Sequence, residues 1–358
     1  MDSTYNMQAN QLLFKLSDIY NQEQIQFDNC LGENLFGKLI LHRVENIVYK
    51  KLKQNGRNMG AYEKCFDALY KHEIAEITAY EENLAYVCKV MKEAKFKYAF
   101  LKGAFLIPIV YEKGLRYSND IDILIDAKDI DECQTILLNN GFVQGHVVDG
   151  VVYPATRREI VLSRMNFGET APFCKVCGDR VILVDINFSL DYKPTSETRI
   201  IQSMLDSTIE IKWKNYNIRT LNILDFIIHL CMHLYKEATT LDWLKRRKDL
   251  NLYKFNDLNV VFHECVSDHE YREITELIIT YGVQKECYYA LLYASKIYSS
   301  LITEDKYVDL LKAIKPEDTS YLYQIVDPEN KKIFMHNMSF EEWFACEDRV
   351  KQLVEVSE

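Results

Sequence analysis

Hydrophobic residues recur at steps of three and four along residues 61–95, and charged residues fill the positions between them. That spacing predicts one long amphipathic helix, because an α-helix completes a turn every 3.6 residues. The apolar face includes Tyr80 and is typical of a side that packs in a core. Residues 1–95 as a whole are predicted to be helical.

The pattern changes after Lys97. Residues 98–101 are a short apolar run, and residues 120–125 (DIDILI) alternate polar and apolar positions before they become wholly apolar. Both runs predict strands, the second one entering a buried sheet. Between them, a short helix is predicted over residues 104–111, which Pro108 limits to its first turn or kinks.

Another helix is predicted over residues 129–140, with Asp129 as its N-cap and Gly141 as its left-handed stop. From about residue 197 the pattern is helical again, and the apolar residues 223–235 are expected to pack against the sheet. Further strands are predicted at residues 142–143, 151–153, 160–162 and 181–186.

These elements predict an α+β protein. A small mixed β-sheet core over residues 96–195 would be flanked by a helical N-terminal region (1–95) and a helical C-terminal region (196–358). The 12 glycines and 6 prolines among 358 residues agree with many helices and few loops.

The chain is acidic, with a formal net charge of −10. Generic DNA or RNA binding is therefore not expected, because phosphate contacts need clusters of Lys and Arg, and a small-molecule or protein substrate is favoured. The basic run at residues 245–248 (KRRK) is interpreted as a solvated helix face. The alternative is a cleft-facing patch that attracts a triphosphate or an anionic acceptor.

The chain begins with a polar segment that does not resemble a signal sequence, and no apolar run approaches the roughly 18 residues that span a bilayer. We therefore expect a cytoplasmic protein without a membrane partner. The ten cysteines are irregularly spaced, which predicts reduced thiols.

Two short motifs have structural explanations and metal-binding alternatives. Cys174 and Cys177 form a CxxC that is interpreted as an incidental turn, since a zinc knuckle needs a second pair. His229 and His233 lie four residues apart in an apolar helix. They are interpreted as buried histidines bonded to the backbone or to a carboxylate.

Asp120 and Asp122 are two residues apart on a predicted strand, so their side chains lie on the same face. Two neighbouring carboxylates repel each other unless a cation lies between them, and Mg²⁺ prefers carboxylate oxygens. Asp185, the charged residue within the apolar strand 181–186, is the candidate for a third ligand. The alternative is that Asp-x-Asp marks a solvated strand end or a helix cap.

The spacing of these residues resembles a known family. The segments 100–103 (FLKG) and 120–125, with Arg116 between them and Asn-Gly-Phe at 140–142, resemble the signature of the uncharacterised nucleotidyltransferase family of the polymerase-β-like superfamily. The resemblance extends over about residues 95–255.

The resemblance implies a nucleoside triphosphate as substrate, with ATP favoured, and Mg²⁺, or Mn²⁺ in its place, as cofactor. It implies that Asp120 and Asp122 hold both metal ions and that Asp185 reaches the ion that activates the acceptor. Transfer of a nucleoside monophosphate, AMP favoured, to a hydroxyl, phosphate or amine would release pyrophosphate. The acceptor is not identified.

The resemblance also implies a nucleotide-binding group at Lys102, Gly103, Arg116 and Ser118. The superfamily usually has Gly-Ser at this turn, whereas this chain has Ala104 after Gly103. Lys102 and backbone amides at the start of the next helix are therefore the predicted phosphate contacts. The alternatives are structural: ion pairs for Lys102 and Arg116, and a turn for Ser118.

Two other functions are compatible with these residues. A glycosyltransferase also uses Asp-x-Asp, but after an N-terminal nucleotide-binding sheet, and residues 1–95 are predicted to be helical. A catalytically inactive nucleotidyltransferase fold would act as a nucleotide sensor or a protein-binding module. The missing serine after Gly103 is its support. Asn187 is a further departure, since it stands where the family often has histidine.

Overall fold

The computed structural model describes residues 3–21, 33–56, 59–166, 168–178, 180–190 and 199–356. The chain forms two compact units. Residues 72–229 form one, called the sheet unit below, and residues 1–71 with 230–358 form the other, called the helical unit. The predicted division at residues 95 and 195 stays a prediction.

Helices account for most of the regular structure. Those used below, in chain order, are α1 Ser3–Ser17, α2 Glu33–Leu41, α3 Glu45–Gln54, α4 Glu63–Val90, α5 Gly103–Phe105, α6 Ile130–Asn139, α7 Arg157–Asn166, α8 Arg199–Asp206, α9 Ile223–Ala238, α10 Leu241–Lys245, α11 Leu252–Cys265, α12 Glu270–Tyr281, α13 Gln284–Ile297, α14 Asp305–Ile314 and α15 Phe340–Ala345.

The strands form two sheets. They are β1 Tyr98–Phe100, β2 Ile121–Ile125, β3 Val143–Val148, β4 Val151–Pro154, β5 Phe173–Cys177, β6 Arg180–Asn187, β7 Ile209–Trp213, β8 Tyr216–Thr220, β9 Gln324–Asp327, β10 Lys332–Met335 and β11 Val354–Val356. In the sheet unit the order is β4-β3-β5-β6-β2-β1-β8-β7, and in the helical unit it is β11-β10-β9.

The larger sheet is mixed. Its central strands β2 and β6 are parallel, as are β1 and β8, and the other pairs are antiparallel. With helices around this sheet the protein is α+β, as predicted.

One face of the larger sheet carries the core of its unit. Ile123 of β2 and Val184 of β6 are fully buried there, together with Leu84 of α4 and Leu137 of α6. Successive side chains of a strand point to opposite faces of the sheet, so the residues between the core positions lie on the other face. The two sheet faces therefore differ in character, and the residues opposite the core are the ones that form the site described below.

The prediction of a strand at 160–162 is wrong. These β-branched and leucine residues lie in α7, because Thr156 and Glu159 cap that helix reciprocally. The Thr156 amide donates to Glu159 Oε2 at 2.6 Å, and the Glu159 amide donates to Thr156 Oγ1 at 3.3 Å. The capping box outweighs a local β preference.

The prediction that residues after 197 are all helical is also wrong. Residues 209–213 (IEIKW) alternate apolar and polar positions and form β7, paired with β8 across a tight turn that places Trp213 opposite Tyr216. Lys214 in that turn has a φ of 50°. The β9–β11 sheet was not predicted either, and the Asp327 side chain organises its first turn by accepting from the Asn330 amide at 3.1 Å.

The helix predicted over 129–140 is present as α6, and Gly141 follows it with a φ of 78°. Asp129 occupies the N-cap position without a side-chain cap hydrogen bond. Asp126 instead caps the preceding turn by accepting from the Lys128 amide at 3.1 Å. Asp126, rather than the predicted Asp129, is therefore the capping aspartate of this segment.

The helix predicted over 104–111 begins at Gly103. After α5 it continues as a wider π-helical turn over Leu106–Val110, closed by the Tyr111 amide donating to the Leu106 carbonyl at 2.8 Å. Pro108 lacks an amide hydrogen, and the wider turn accommodates that loss. In α9, Phe226 packs edge-to-face on Phe105 at 4.8 Å.

Candidate active site

Two carboxylates lie side by side where β2 and β6 run parallel. Asp122 of β2 and Asp185 of β6 are direct partners in the strand register. Side chains in such positions lie on the same face of a sheet, on strands roughly 4.8 Å apart. That face is opposite the core, since the flanking residues Ile121 and Ile186 belong to the core cluster. The register therefore brings together two acids that are far apart in sequence.

Asp120 directly precedes β2 and joins this pair. Its Oδ1 accepts a hydrogen bond from Ser118 Oγ at 2.8 Å. Ser118 and Arg116 are both buried, and Arg116 Nη1 donates to the Tyr117 carbonyl. The segment before β2 is thus folded inward, with its polar side chains against the carboxylates.

A strained turn carries a lysine to the same place. Lys102 ends the segment after β1 with a φ of 42°, which is unusual for a residue other than glycine and is found where the surroundings fix the backbone. Its Nζ lies 2.9 Å from Asp122 Oδ1. The Leu101 amide donates to the Asp122 carbonyl at 3.0 Å, so the turn is bound to β2 at two points.

Gly103 is required by close approach. A Cβ at this position would lie 2.8 Å from Ser118 Cβ and 3.1 Å from the Tyr80 hydroxyl. The turn after β1, the segment before β2 and α4 thus meet at a residue with no side chain. Larger residues at position 103 would push Lys102 or Ser118 away from the carboxylates.

The backbone amides after this turn, which the sequence predicts as phosphate contacts, have hydrogen-bond partners of their own in the structure. The Ala104 amide donates to the Leu101 carbonyl at 3.0 Å, and the Phe105 amide donates to the Lys102 carbonyl at 3.1 Å. These two amides are therefore engaged within the turn itself. These amides would contact a phosphate only if the turn opened. Phosphate binding would therefore rely mainly on side chains.

Three further polar residues belong to the site. Asn187 Nδ2 lies 3.3 Å from Asp122 Oδ1, so it takes part although it replaces a histidine. Glu169, which forms an isolated bridge with Asn187, raises the pKa of Asp185 by repulsion. The Tyr80 side chain is buried, and its hydroxyl has no hydrogen-bond partner among the described residues.

Sequence reasoning missed Glu169 and the role of the Tyr80 hydroxyl. Glu169 lies in an irregular segment, and nothing in its neighbours connects it with the Asp-x-Asp strand. Tyr80 was assigned to the apolar stripe of α4, which is correct for its ring. Its position on α4 gives no signal that the hydroxyl reaches Gly103.

One of three comparisons with known proteins gave a match. A family model described as uncharacterised nucleotidyltransferase matches residues 34–299, more than half of the chain. The chain belongs to the uncharacterised nucleotidyltransferase family. Comparison with curated proteins and with solved structures found no match. Membership in a nucleotidyltransferase family supports nucleotidyl transfer as the general activity and a nucleoside triphosphate as a substrate.

Negative charge is in excess at the three carboxylates of this site. Burial raises the pKa of Asp185 well above its usual range, and repulsion by Asp120 and Asp122 adds to the effect. Burial and the charge of Asp122 also raise the pKa of Asp120, against the opposing effects of Lys102, Ser118 and Arg116. The nearby cations thus compensate only part of the charge.

The donor set suits a hard divalent cation. Three carboxylates on one sheet face offer the oxygen ligands that Mg²⁺ and Mn²⁺ prefer. As the side chains lie, no group of three or more His, Cys, Asp or Glu residues in the described part of the chain converges on a single point. Asp120 Oδ1 accepts from Ser118 and Asp122 Oδ1 accepts from Lys102, so one oxygen of each carboxylate is already engaged.

The other sequence motifs lie outside this arrangement. Cys174 and Cys177 both lie in β5 rather than in a turn, three residues apart, so their side chains point to opposite faces. His233 lies 3.4 Å from Glu237, consistent with a structural role. Residues 245–248 are all exposed, but α10 ends at Lys245, so the predicted helix face is wrong for the three residues that follow. In the described residues, no helix of the family member is both long and apolar enough to cross a membrane.

Proposed function

We propose that this chain transfers a nucleoside monophosphate, AMP favoured, from a nucleoside triphosphate to a hydroxyl, phosphate or amine of an acceptor, with release of pyrophosphate. The observation that carries the proposal is the register of β2 and β6, which sets Asp122 beside Asp185 with Asp120 next to them. Family membership supplies the reaction class. Small molecules, peptides and proteins all remain candidate acceptors.

Mg²⁺, or Mn²⁺, is the proposed cofactor, and Asp120, Asp122 and Asp185 would hold it. When bound, the metal neutralises charge that develops on the phosphoryl oxygens. The acceptor oxygen or nitrogen forms a bond to the α-phosphorus as the bond to the β-phosphate oxygen breaks. The chain's own residues contribute mostly by positioning these groups in line.

Lys102, Arg116 and Ser118 are the proposed triphosphate contacts, with Gly103 giving the space for them to approach. Lys102 Nζ forms an ion pair with Asp122. A phosphate oxygen can replace that carboxylate as its partner, because it is also negatively charged. The Tyr80 hydroxyl, buried beside Gly103, has a hydrogen bond available to an incoming group.

The acceptor is proposed to enter from the β6 side. A cavity of about 470 Å³ opens at Asp120 and Asp185, and the β3–β4 hairpin lines it with His146 and Asp149. Lys102 lies on β1's side of the carboxylates, and this cavity lies on the other side, since the sheet order runs β3-β5-β6-β2-β1. Leu183 of β6 gives its wall an apolar part.

The experiment is a calorimetric titration of ATP, GTP, CTP and UTP, each with Mg²⁺, into the full chain and into an Asp120→Asn/Asp122→Asn variant. Metal-dependent binding of one triphosphate is expected, and at least about a hundredfold loss in the variant. Asp131→Asn is the matched control, because Asp131 is an exposed acid of the same unit. Absence of binding to the folded wild type, or equal binding to the double variant, would refute the proposal.

A second candidate is a nucleotide sensor that binds a triphosphate without transferring it. The Lys102–Asp122 ion pair favours it, because an ammonium already neutralises a carboxylate that would otherwise bind the metal. Pyrophosphate release separates the two functions. A sensor binds the triphosphate in calorimetry yet releases no pyrophosphate with any acceptor, whereas the transferase releases it in proportion to modified acceptor.

A further inference from the structure

The helical unit contains a cavity that the nucleotidyl-transfer chemistry does not use. Its volume is about 380 Å³, at the lower end of the roughly 300–1,000 Å³ typical of small-molecule sites. It lies among the end of α2, the loop after α10, and the segment that follows α15. Its charged lining residues are Lys38, Arg247, Glu347 and Arg349. Cations therefore outnumber acids on its wall.

Lys38 is a cation whose charge is only partly compensated: burial lowers its pKa, and the negative charge of Glu347 opposes that shift without cancelling it. Its side chain is half-buried, and its ammonium donates to Asn10 Oδ1 at 3.0 Å. Asn10 is itself buried at 5% exposure, so the amide holds the ammonium in place but contributes no negative charge. A charge taken partly out of water and bonded to a neutral oxygen gains from an anionic partner.

The Arg349 guanidinium is held in place by a buried carboxylate. Its Nη1 and Nη2 donate to the two carboxylate oxygens of Asp249 at 2.6 and 2.9 Å. The Asp249 side chain is fully buried, whereas that of Arg349 is 13% exposed. A guanidinium has five N–H donors, so this pair orients Arg349 and leaves up to three donors for another acceptor.

His42 shows that the two cations converge. Burial lowers the pKa of His42 to about 3, and the charges of Arg349 and Lys38 both add to that shift. The His42 ring stacks on Phe344, with centroids 5.2 Å apart, and both rings line the cavity. With Leu41 and Leu250 they form the less polar part of the cavity wall.

Arg247 completes the charged side. Its backbone has a φ of 56°, and its Nη2 donates to the Glu347 carbonyl at 3.0 Å. That bond uses a neutral backbone oxygen, so the guanidinium charge is not neutralised by it. Glu347 is the acid among the lining residues, and it is exposed.

From these contacts we propose that the cavity binds a small organic anion, in which a phosphate or carboxylate group meets Lys38, Arg247 and Arg349 and a short apolar body lies against Leu41, Leu250 and Phe344. The site belongs to the helical unit, whereas Asp120, Asp122 and Asp185 belong to the sheet unit. It is therefore independent of the proposed transfer reaction.

Calorimetric titrations with phenyl phosphate, benzoate and inorganic phosphate test the proposal. The first two should bind the full chain, and the one that binds more tightly names the anionic group. Lys38→Gln/Arg247→Gln should weaken binding at least about tenfold, because each change removes a charge but keeps a hydrogen-bond donor. Lys312→Gln, an exposed lysine of α14 in the same unit, should leave it unchanged.

Asp120→Asn/Asp122→Asn must also leave this binding unchanged, which excludes occupancy of the carboxylate site. Equal binding to wild type and Lys38→Gln/Arg247→Gln would overturn the proposal, as would the absence of binding for all three probes at millimolar concentration. Circular dichroism of each variant shows whether it is folded.

Cys346 gives a second readout in the unaltered protein. It is a free, half-buried thiol on the cavity wall, and Cys65 is an exposed free thiol elsewhere in the helical unit. The bound probe should slow alkylation of Cys346 by iodoacetamide at least about threefold, while alkylation of Cys65 is unchanged, as followed by peptide mass spectrometry. Equal rates for Cys346 with and without saturating probe would place the probe elsewhere.

Discussion

The sheet unit and the helical unit both gather charged side chains into a confined space, but they do so with opposite sign and by different means. In the sheet unit, strand register sets Asp122 beside Asp185. In the helical unit, buried Asp249 and Asn10 hold Arg349 and Lys38 one by one. The acids of the sheet unit repel each other and are compensated only in part by Lys102 and Arg116, whereas the cations of the helical unit are anchored one at a time.

The comparison has an energetic meaning. Removing Asp185 from the first region relieves its repulsion by Asp120 and Asp122, so the fold should tolerate the change while function is lost. Removing the acid behind Arg349 leaves a buried charge without a partner, so the fold itself should suffer. Loss of an acid is therefore expected to lower activity but not stability in the sheet unit, and to lower stability in the helical unit.

The largest expected effect is that of Asp185→Asn on turnover. Loss of this carboxylate should lower the rate of pyrophosphate release by about a thousandfold or more, since the ligand proposed to serve the acceptor side is removed. Triphosphate affinity, measured by calorimetry, should change less than about tenfold because Asp120 and Asp122 remain. The melting temperature should be unchanged or higher, and a clear drop in it would contradict the repulsion described here.

Asp249→Ala should destabilise the helical unit by about 3 kcal/mol, because it strands the Arg349 guanidinium. The free energy of unfolding from urea titration measures the effect. Asp249→Ala combined with Arg349→Met should recover part of the loss. If the single variant loses less than about 1 kcal/mol, the pair does not anchor the cavity as described.

Gly103→Ala should lower triphosphate affinity or turnover by about tenfold to a hundredfold, because displacements of about 1 Å at a site are that costly. The added methyl would lie 2.8 Å from Ser118 Cβ, so Ser118 or the turn must move. Calorimetry and pyrophosphate release measure the change. Activity equal to that of wild type would show that the turn yields without cost.

Gly37→Ala is the same chemical change in the other unit and should have the smallest effect. Gly37 lies within α2, and an added Cβ would meet nothing within 4 Å. Alanine in a helix interior should therefore raise the free energy of unfolding by about 0.5–1 kcal/mol. Urea titration measures whether the free energy of unfolding rises or falls. A fall would mean that the cavity wall at Gly37 has less room for a methyl group than the structure shows.

Local patterns predicted much of the sheet unit. The alternation at 120–125 and the apolar run at 181–186 each indicated a strand, and both strands are present as β2 and β6. The family signature then singled out Lys102, Gly103 and Arg116, and Ser118 was a further candidate beside them. The structure brings these residues close to the carboxylates.

What the patterns could not supply is information that is not local. Nothing near Asp185 specifies that it pairs with Asp122, because register depends on the whole sheet. Glu169 and the Tyr80 hydroxyl join the site through tertiary packing. At 160–162, a capping box decides between two local preferences, and its Thr156-x-x-Glu159 spacing is visible in the sequence.

The parallel pairing of Asp122 with Asp185 also determines which length changes this chain can tolerate. Residues 126–179 join the two strands, and a loop in that stretch can gain or lose residues without altering which positions of β2 and β6 are opposite each other. A single residue inserted within β6 ahead of Asp185 would instead turn that carboxylate toward the core and bring Val184 to the site. Relatives that vary in length are thus expected to differ in the connections and to keep the count of residues inside these two strands.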